Sequence, residues 1–436
     1  MVCEIVLGCP QFIFVKETTL RKISTCAVGL FAGIAPLSVG HAATWQESII
    51  HTFKDVAKGV RPAAALVADS AGNYYGTVYT GDVGGNGGVF ELSPPASGQK
   101  AWGVKMLHKF DKAPGGQYPT NAPLTLDARG NIYGTTPQGS KNDAGVAFEL
   151  IKPTSGDAWK EKVLVHFNGT FKGGTPYGGL VFGPGGNLYG TTGYGGTGGA
   201  GTVFMLSPDA TQKSGWAETI LYSFTNGTDG GYPYCVPVFD AAGNLYGTTL
   251  NGGNTANGVV FELSPPTNGT AWTETVIHSF DTAADGISPR IGLNFDEAGN
   301  LYGTTENGGT YDWGIAYELS PPSSPGGAWT ESILHDFDFG TDGGNPSYSS
   351  ILFYKGSIYG TTAQGGTSKA GIVWELTPPS GGGTPWTETI VHTFTGAPDG
   401  NEPEAGLTLG PNGTLLGTTF EGGTSTNYGT IFQLTQ

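Results

Sequence analysis

The feature that most constrains this chain is a seven-residue phrase, Gly243-Asn244-Leu245-Tyr246-Gly247-Thr248-Thr249, which recurs in close variants along its length. Its second glycine falls at Gly76, Gly134, Gly190, Gly247, Gly303, Gly360 and Gly417, in steps of 58, 56, 57, 56, 57 and 57 residues. So even a period specifies one supersecondary unit packed against copies of itself. It also lets 436 residues share cores between neighbours instead of filling one oversized interior. The 75 glycines and 28 prolines, which without a period would indicate a low-complexity polymer, recur in register and therefore mark turns.

Each unit opens on a Trp, at positions 45, 102, 159, 216, 272, 329 and 386, followed by alternating residues as in Trp272-Thr-Glu-Thr-Val-Ile-His-Ser-Phe280. That alternation, rich in β-branched side chains, predicts a strand. A loop follows and ends at a proline, the series Pro62, Pro119, Pro176, Pro233, Pro289, Pro346 and Pro403, before a short strand such as Ile291-Gly292-Leu293-Asn294-Phe295. Asp240-Ala-Ala-Gly-Asn244 then reads as a tight turn, because Asp bonds its own backbone while Gly accepts a left-handed conformation. The Leu-Tyr-Gly-Thr-Thr phrase is the third strand. Val259-Val260-Phe261-Glu262-Leu263 is the fourth, and Ser264-Pro265-Pro266 stops it, since proline donates no ladder hydrogen bond.

Four short antiparallel strands per period of about 57 residues predict an all-β, seven-bladed β-propeller. A parallel β-helix has shorter coils and no use for four hairpin-spaced strands. The phase of the repeat adds a further expectation. The series begins with a Trp strand and ends with Ile431-Phe432-Gln433-Leu434, so the first outer strand is expected to pair with the last one and close the ring. The glycine of Tyr-Gly-Thr-Thr is expected where an adjacent sheet approaches closely.

These phrases also carry a resemblance. Gly-Asn-Leu-Tyr-Gly-Thr-Thr, the Gly-Gly loop, Val-Phe-Glu-Leu and Ser-Pro-Pro together resemble the GloVer tandem repeat of choice-of-anchor bacterial proteins, over residues 45–436. The Asp-x-x-Gly-Asn-Leu-Tyr part alone is similar to blades of two-component-regulator sensor propellers. The resemblance implies an exported bacterial repeat protein. It defines no biochemical role, and the C-terminal surface anchor common in that family is not seen after the last repeat.

Residues 1–42 read differently. Lys16, Arg21 and Lys22 precede an apolar run from Cys26 to Val39, and Gly40-His41-Ala42 offers the small residues of a cleavage site. The run is shorter than the roughly 20 residues of a spanning helix. A signal peptide over 1–42 and a propeller over 43–436 are therefore expected, with a translational start downstream of Met1 as an alternative beginning. The mature part would be secreted or periplasmic and carry 17 basic against 34 acidic residues. Such a surface is a poor partner for nucleic acid or an anionic membrane. Three of the four cysteines lie in the leader, which leaves Cys235 without a disulfide partner and reads as a buried small residue.

In a repeat protein the consensus residues build the scaffold, so a site is sought where one copy departs from the rest. The histidines at His51, His108, His278, His335 and His392 recur on the outer strand and are read as structural, scattered around the rim with no shared metal. The repeated glutamates at 91, 149, 262, 318 and 375 are read likewise. No metalloprotease, nucleophile-elbow or phosphate-loop pattern is present. The residue after each ring proline does vary: Ala63, Thr120, Tyr177, Tyr234, Arg290, Ser347 and Glu404. Gathered at one opening, Tyr177, Tyr234, Arg290 and Glu404 would line a polar, aromatic ligand-binding funnel. Tyr311-Asp312-Trp313 is the second departure, an aromatic insertion suited to stacking on a sugar or a partner. The acidic turns at Asp229, Asp285, Asp342 and Asp399 offer weak Ca²⁺ ligands, and no dedicated metal site or other cofactor is expected. The expected function is a monomeric binding or scaffold module for an extracellular glycan or protein. The alternative is a glycoside hydrolase or polysaccharide lyase with Glu404 or Asp312 as acid or base.

Overall fold

The chain meanders outward from an axis, four antiparallel strands at a time. The computed structural model describes residues 44–436 except 82–84, 112–113, 120–122, 157, 325 and 347–349, so the expected leader, Thr120 and Ser347 lie outside the described residues. Blade IV is representative: Val238–Phe239, Leu245–Thr249, Val259–Ser264 and Thr273–Ser279, hydrogen-bonded in that order. Blades I to III and V to VI repeat it, and blade I adds the short strand Val60–Pro62 against Tyr74–Thr80. In blade VII, Thr408–Leu409, Leu415–Thr419 and Thr430–Thr435 are completed by Gln46–Thr52, with Gln46 opposite Thr435 and Ile49 opposite Phe432. The seven-bladed ring is thus closed as the repeat phase required.

Polar groups in the repeat phrase hold each blade. In blade IV the Asp240 carboxylate accepts from the Ala242 and Asn244 amides, each at 2.8 Å, and from the Tyr246 hydroxyl at 3.2 Å. One aspartate therefore fixes the turn and pins the strand that follows. The two threonines have separate tasks. Thr248 donates to the Ile291 carbonyl of the next blade at 3.1 Å, while Thr249 donates to Asn251 within its own loop at 2.8 Å.

The glycine just before them, Gly247, departs from expectation. A Cβ on Gly247 would lie 2.6 Å from the ring of Phe261, its partner in the same sheet, and 2.8 Å from Cys235 Sγ. An aromatic ring of its own blade, and not a neighbouring sheet, claims the space. Backbone crowding occurs nearer the axis, where a Cβ on Gly292 would meet the Val236 carbonyl at 2.7 Å.

Between blades the core is aromatic. Phe224, at the end of the outer strand of blade III, sits 5.1 Å from Phe261 of blade IV, and Phe394 of blade VI sits 5.0 Å from Phe432 of blade VII. Six of the seven outer Trp side chains reach back to a Tyr of the preceding blade, while Trp102 meets Tyr74 of its own blade. Trp216 meets Tyr133 edge-on with centroids 6.4 Å apart, and Trp45 meets Tyr359 at 6.0 Å.

A ring-wide clasp sets the rim. The residue before every ring proline has positive φ, between 54° and 61°, in the series Arg61, Tyr118, Thr175, Tyr232, Ser288, Asn345 and Glu402. In each case its amide donates to the Gly-rich loop of the preceding blade, as Ser288 does to the Asn257 carbonyl at 2.8 Å. The next residue in that loop is a glycine by necessity: Gly258 has φ of 103°, and a Cβ there would lie 2.6 Å from Pro289 Cδ. Proline, left-handed residue and glycine therefore form one joint between neighbours, and it delivers Tyr177, Tyr234, Arg290 and Glu404, each following its proline, to the axis.

Candidate functional site

That delivery assembles the expected funnel. A cavity of about 450 Å³ opens at the axis, lined by Tyr177, Tyr234, Arg290 and Glu404, all of them residues that follow a ring proline. Its lower wall is small and apolar, with Ala65, Gly178, Val236, Gly292, Leu293 and Gly406 among its residues. Small residues are required there because the inner strands converge.

Two further lining residues escaped the sequence reading. Tyr79 and Phe420 occupy the position directly after the Thr-Thr of the repeat, which in chain order holds Tyr79, Pro137, Gly193, Leu250, Glu306, Ala363 and Phe420. This position is as variable as the one after proline, and that variability was the available signal.

The two variable rings interlock. Tyr177 and Tyr234 meet with centroids 4.6 Å apart, and Tyr79 meets Phe420 at 5.8 Å. Arg290 lies over the Tyr234 ring at 5.5 Å and pairs with Glu306 at 3.2 Å. Arg61 lies over Phe420 at 5.2 Å and pairs with Glu421 at 3.4 Å. Each guanidinium is thus held by a carboxylate and an aromatic face together, which fixes a planar cation at the rim.

Glu404 is the acid in this arrangement. Burial, with a contribution from neighbouring Glu402, pushes its carboxyl up to about 7, against the opposing field of Arg290. Near neutral pH it divides between a hydrogen-bond donor and an anion. Burial also raises the Tyr177 and Tyr234 hydroxyls, so both are neutral donors at physiological pH. Tyr234 reaches the Tyr194 hydroxyl at 3.4 Å.

The second expected element is not brought to the cavity. Trp313 is stacked on Phe339, centroids 4.1 Å apart at 23°, and the Asp312 carboxylate accepts from the Gly308 amide at 3.1 Å with φ of 64°. These two residues shape their own loop. Tyr311 remains 56% exposed, outside the lining set. Cys235 is fully buried, with its thiol pushed up to about 11 by burial, and offers no nucleophile to the cavity. Asp229, Asp285, Asp342 and Asp399 form turns as expected, each accepting backbone amides, as Asp229 does from Thr225 at 2.9 Å.

A closed ring with scaffold residues repeated sevenfold and its departures gathered at one axial opening defines a β-propeller repeat protein. The chain belongs to the Gloeobacter/Verrucomicrobia repeat family, whose model matches residues 40–238 and again 234–436. No curated protein matches the sequence. Among solved structures it is similar to a protein described as a putative 6-phosphogluconolactonase from Bacteroides uniformis, at 17% identity and a TM-score of 0.45, covering 75% of this chain and 87% of that one. It is also similar to a putative oxidoreductase (glucose dehydrogenase) from Thermus thermophilus, at 13% identity and 0.42, covering 90% and 100%. A luciferin-regenerating enzyme is similar at 11% identity and 0.42, covering 90% and 95%.

Proposed function

We propose that this is an exported monomeric binding module whose axial cavity takes a ring of an extracellular glycan or an aromatic-sized side chain of a protein partner. The observation that carries this reading is the pairing of aromatic walls with fixed polar groups in one opening of about 450 Å³. Tyr177, Tyr234, Tyr79 and Phe420 supply faces for a sugar ring, while Arg290 and Glu404 supply the directional contacts that orient it. The leader-like residues 1–42 and the acid excess favour export and a ligand that is neither nucleic acid nor an anionic membrane.

Catalysis is the second reading, favoured by Glu404 with its carboxyl near 7, suited to a general acid. Glycoside hydrolysis calls for a second carboxyl roughly 5 to 10 Å away across the pocket. Among the described lining residues Glu404 is the sole acid, so the binding reading takes precedence.

The test is a glycan array and an oligosaccharide-degradation assay on wild type, Tyr234→Ala, Arg290→Ala and Glu404→Gln. Binding lost in the first two variants with no product from wild type supports the module. Product formation abolished by Glu404→Gln supports the enzyme. Retention unchanged in every variant overturns the choice of cavity.

A further inference from the structure

Away from the axis, the outer strands meet at the blade junctions through a repeated set of ionisable groups. At the junction of blades V and VI, His335 Nε2 lies 3.1 Å from Asp342 Oδ2 and 3.8 Å from Glu388 Oε1. His278, Asp285 and Glu331 repeat this between blades IV and V, as do His392, Asp399 and Glu47 between VI and VII. In each set the three ligating atoms lie within 4.8 Å of one another.

We infer that these three junctions are divalent transition-metal sites of the Zn²⁺ class, each clasping two neighbouring blades. Histidine and Asp come from one blade and its loop, and Glu comes from the outer strand of the next.

The donor set fits. One imidazole and two carboxylates are ligands for a borderline divalent ion, whose bonds of about 2.0 to 2.1 Å put tetrahedral ligands ~3.3 Å apart and leave a fourth position for water. Several of the converging atoms are otherwise unanswered. Glu331 Oε1, Glu388 Oε1, Glu47 Oε1, His278 Nε2 and Asp399 Oδ1 are shielded from solvent with no hydrogen-bond partner among the described residues. His278 Nε2 and Glu331 Oε1 stand 3.6 Å apart, too far for a hydrogen bond; burying such atoms without one is costly, and a cation at their centre answers them together.

Two other junctions supply internal controls. Between blades II and III the aspartate position holds Lys172, whose ammonium lies 3.1 Å from Glu218, so the chain there carries its own cation to the equivalent glutamate. Between III and IV both carboxylates, Asp229 and Glu274, are kept, but Tyr222 replaces the histidine and its hydroxyl donates to Asp229 at 3.3 Å. That junction has the acids without the imidazole.

The three histidines lie in separate clusters, one to a junction. The sequence reading missed that each meets a glutamate of the neighbouring blade, because the contact joins residues 53 positions apart for His278 and His335 and spans the ring closure for His392 and Glu47.

The experiment uses untagged protein, stripped with a chelator and titrated with Zn²⁺ by calorimetry, with Ca²⁺ and Mg²⁺ in parallel and bound metal measured by mass spectrometry. Three Zn²⁺ per chain are expected, matching the three clusters found among the described residues, with one lost in Glu388→Gln and one in Glu331→Gln. Tyr222→His is expected to gain one, a result that a misfolded variant does not imitate. Zn²⁺ should also raise the melting temperature of wild type. An absence of Zn²⁺ binding overturns the proposal and leaves protons as the only bridge between these groups. So does an unchanged stoichiometry in the Glu47→Gln, Glu331→Gln, Glu388→Gln triple variant with an intact fold, or equal uptake of Ca²⁺.

Discussion

The ring of Tyr234 occupies the space that a side chain on Gly193 would need: a Cβ built on Gly193 overlaps Tyr234 Cε1. One variable ring of the funnel thus makes room for the other. Gly193→Ala should displace Tyr234 from Tyr177, change the near-ultraviolet tyrosine dichroism and weaken ligand retention. Overpacking in a core costs about 1 to 3 kcal/mol, and this site, open to the cavity, should fall near the lower end. An unaltered tyrosine signal in that variant contradicts the packing described.

Stability should fall as pH rises through the titration of Glu404. Its carboxyl is raised from 4.5 to about 7, so the folded chain holds a proton that the unfolded chain has released. The contribution is full below about 4.5 and is lost as pH climbs through 7. His51 acts in the opposite sense: burial first, then Lys54, lowers it from 6.5 to about 4, so its contribution is full above 6.5 and lost as pH falls toward 4. Denaturant titrations across this range should show the neutral decline flattened in Glu404→Gln and the acid decline flattened in His51→Gln.

Closure of the ring rests on the pairing of Ile49 with Phe432 and its neighbours. Ile49→Pro deprives the joining strand of a donor and of free φ, which should lower the melting temperature markedly. The same substitution at Lys54, beyond that strand, should cost far less. Equal melting temperatures for the two variants would mean that the first strand does not hold the ends together.

Trp216→Ala removes the indole that covers Tyr133 from the next blade. Because Trp216 is half-buried, the loss should be about 2 to 3 kcal/mol, below that of a wholly buried ring. Guanidinium melts of Trp216→Ala and Trp216→Phe should separate the loss of volume from the loss of the edge-on contact.

The fold was legible because its determinants are local and repeated. Asp240 and Gly243 write a turn, Pro265 and Pro266 stop a strand, and seven copies average out the ambiguity of any one. The funnel was half legible: the position after proline could be tracked by a fixed marker, while Tyr79 and Phe420 sit after a phrase read as pure scaffold. The stacking of Trp313 on Phe339 was not legible, because Phe339 lies on the following connection, in a contact no spacing rule announces. The glutamates at 331 and 388 were hidden for the same reason, since a strand's alternation gives the face of a side chain but not the neighbour it will meet.

The joint of proline, left-handed residue and glycine has an evolutionary corollary. It anchors the backbone just before each mouth residue by a hydrogen bond that involves no side chain at that position. Substitutions there can therefore accumulate at little cost to the wheel, one spoke at a time, and a lineage of such chains can change what it recognises while keeping the same frame.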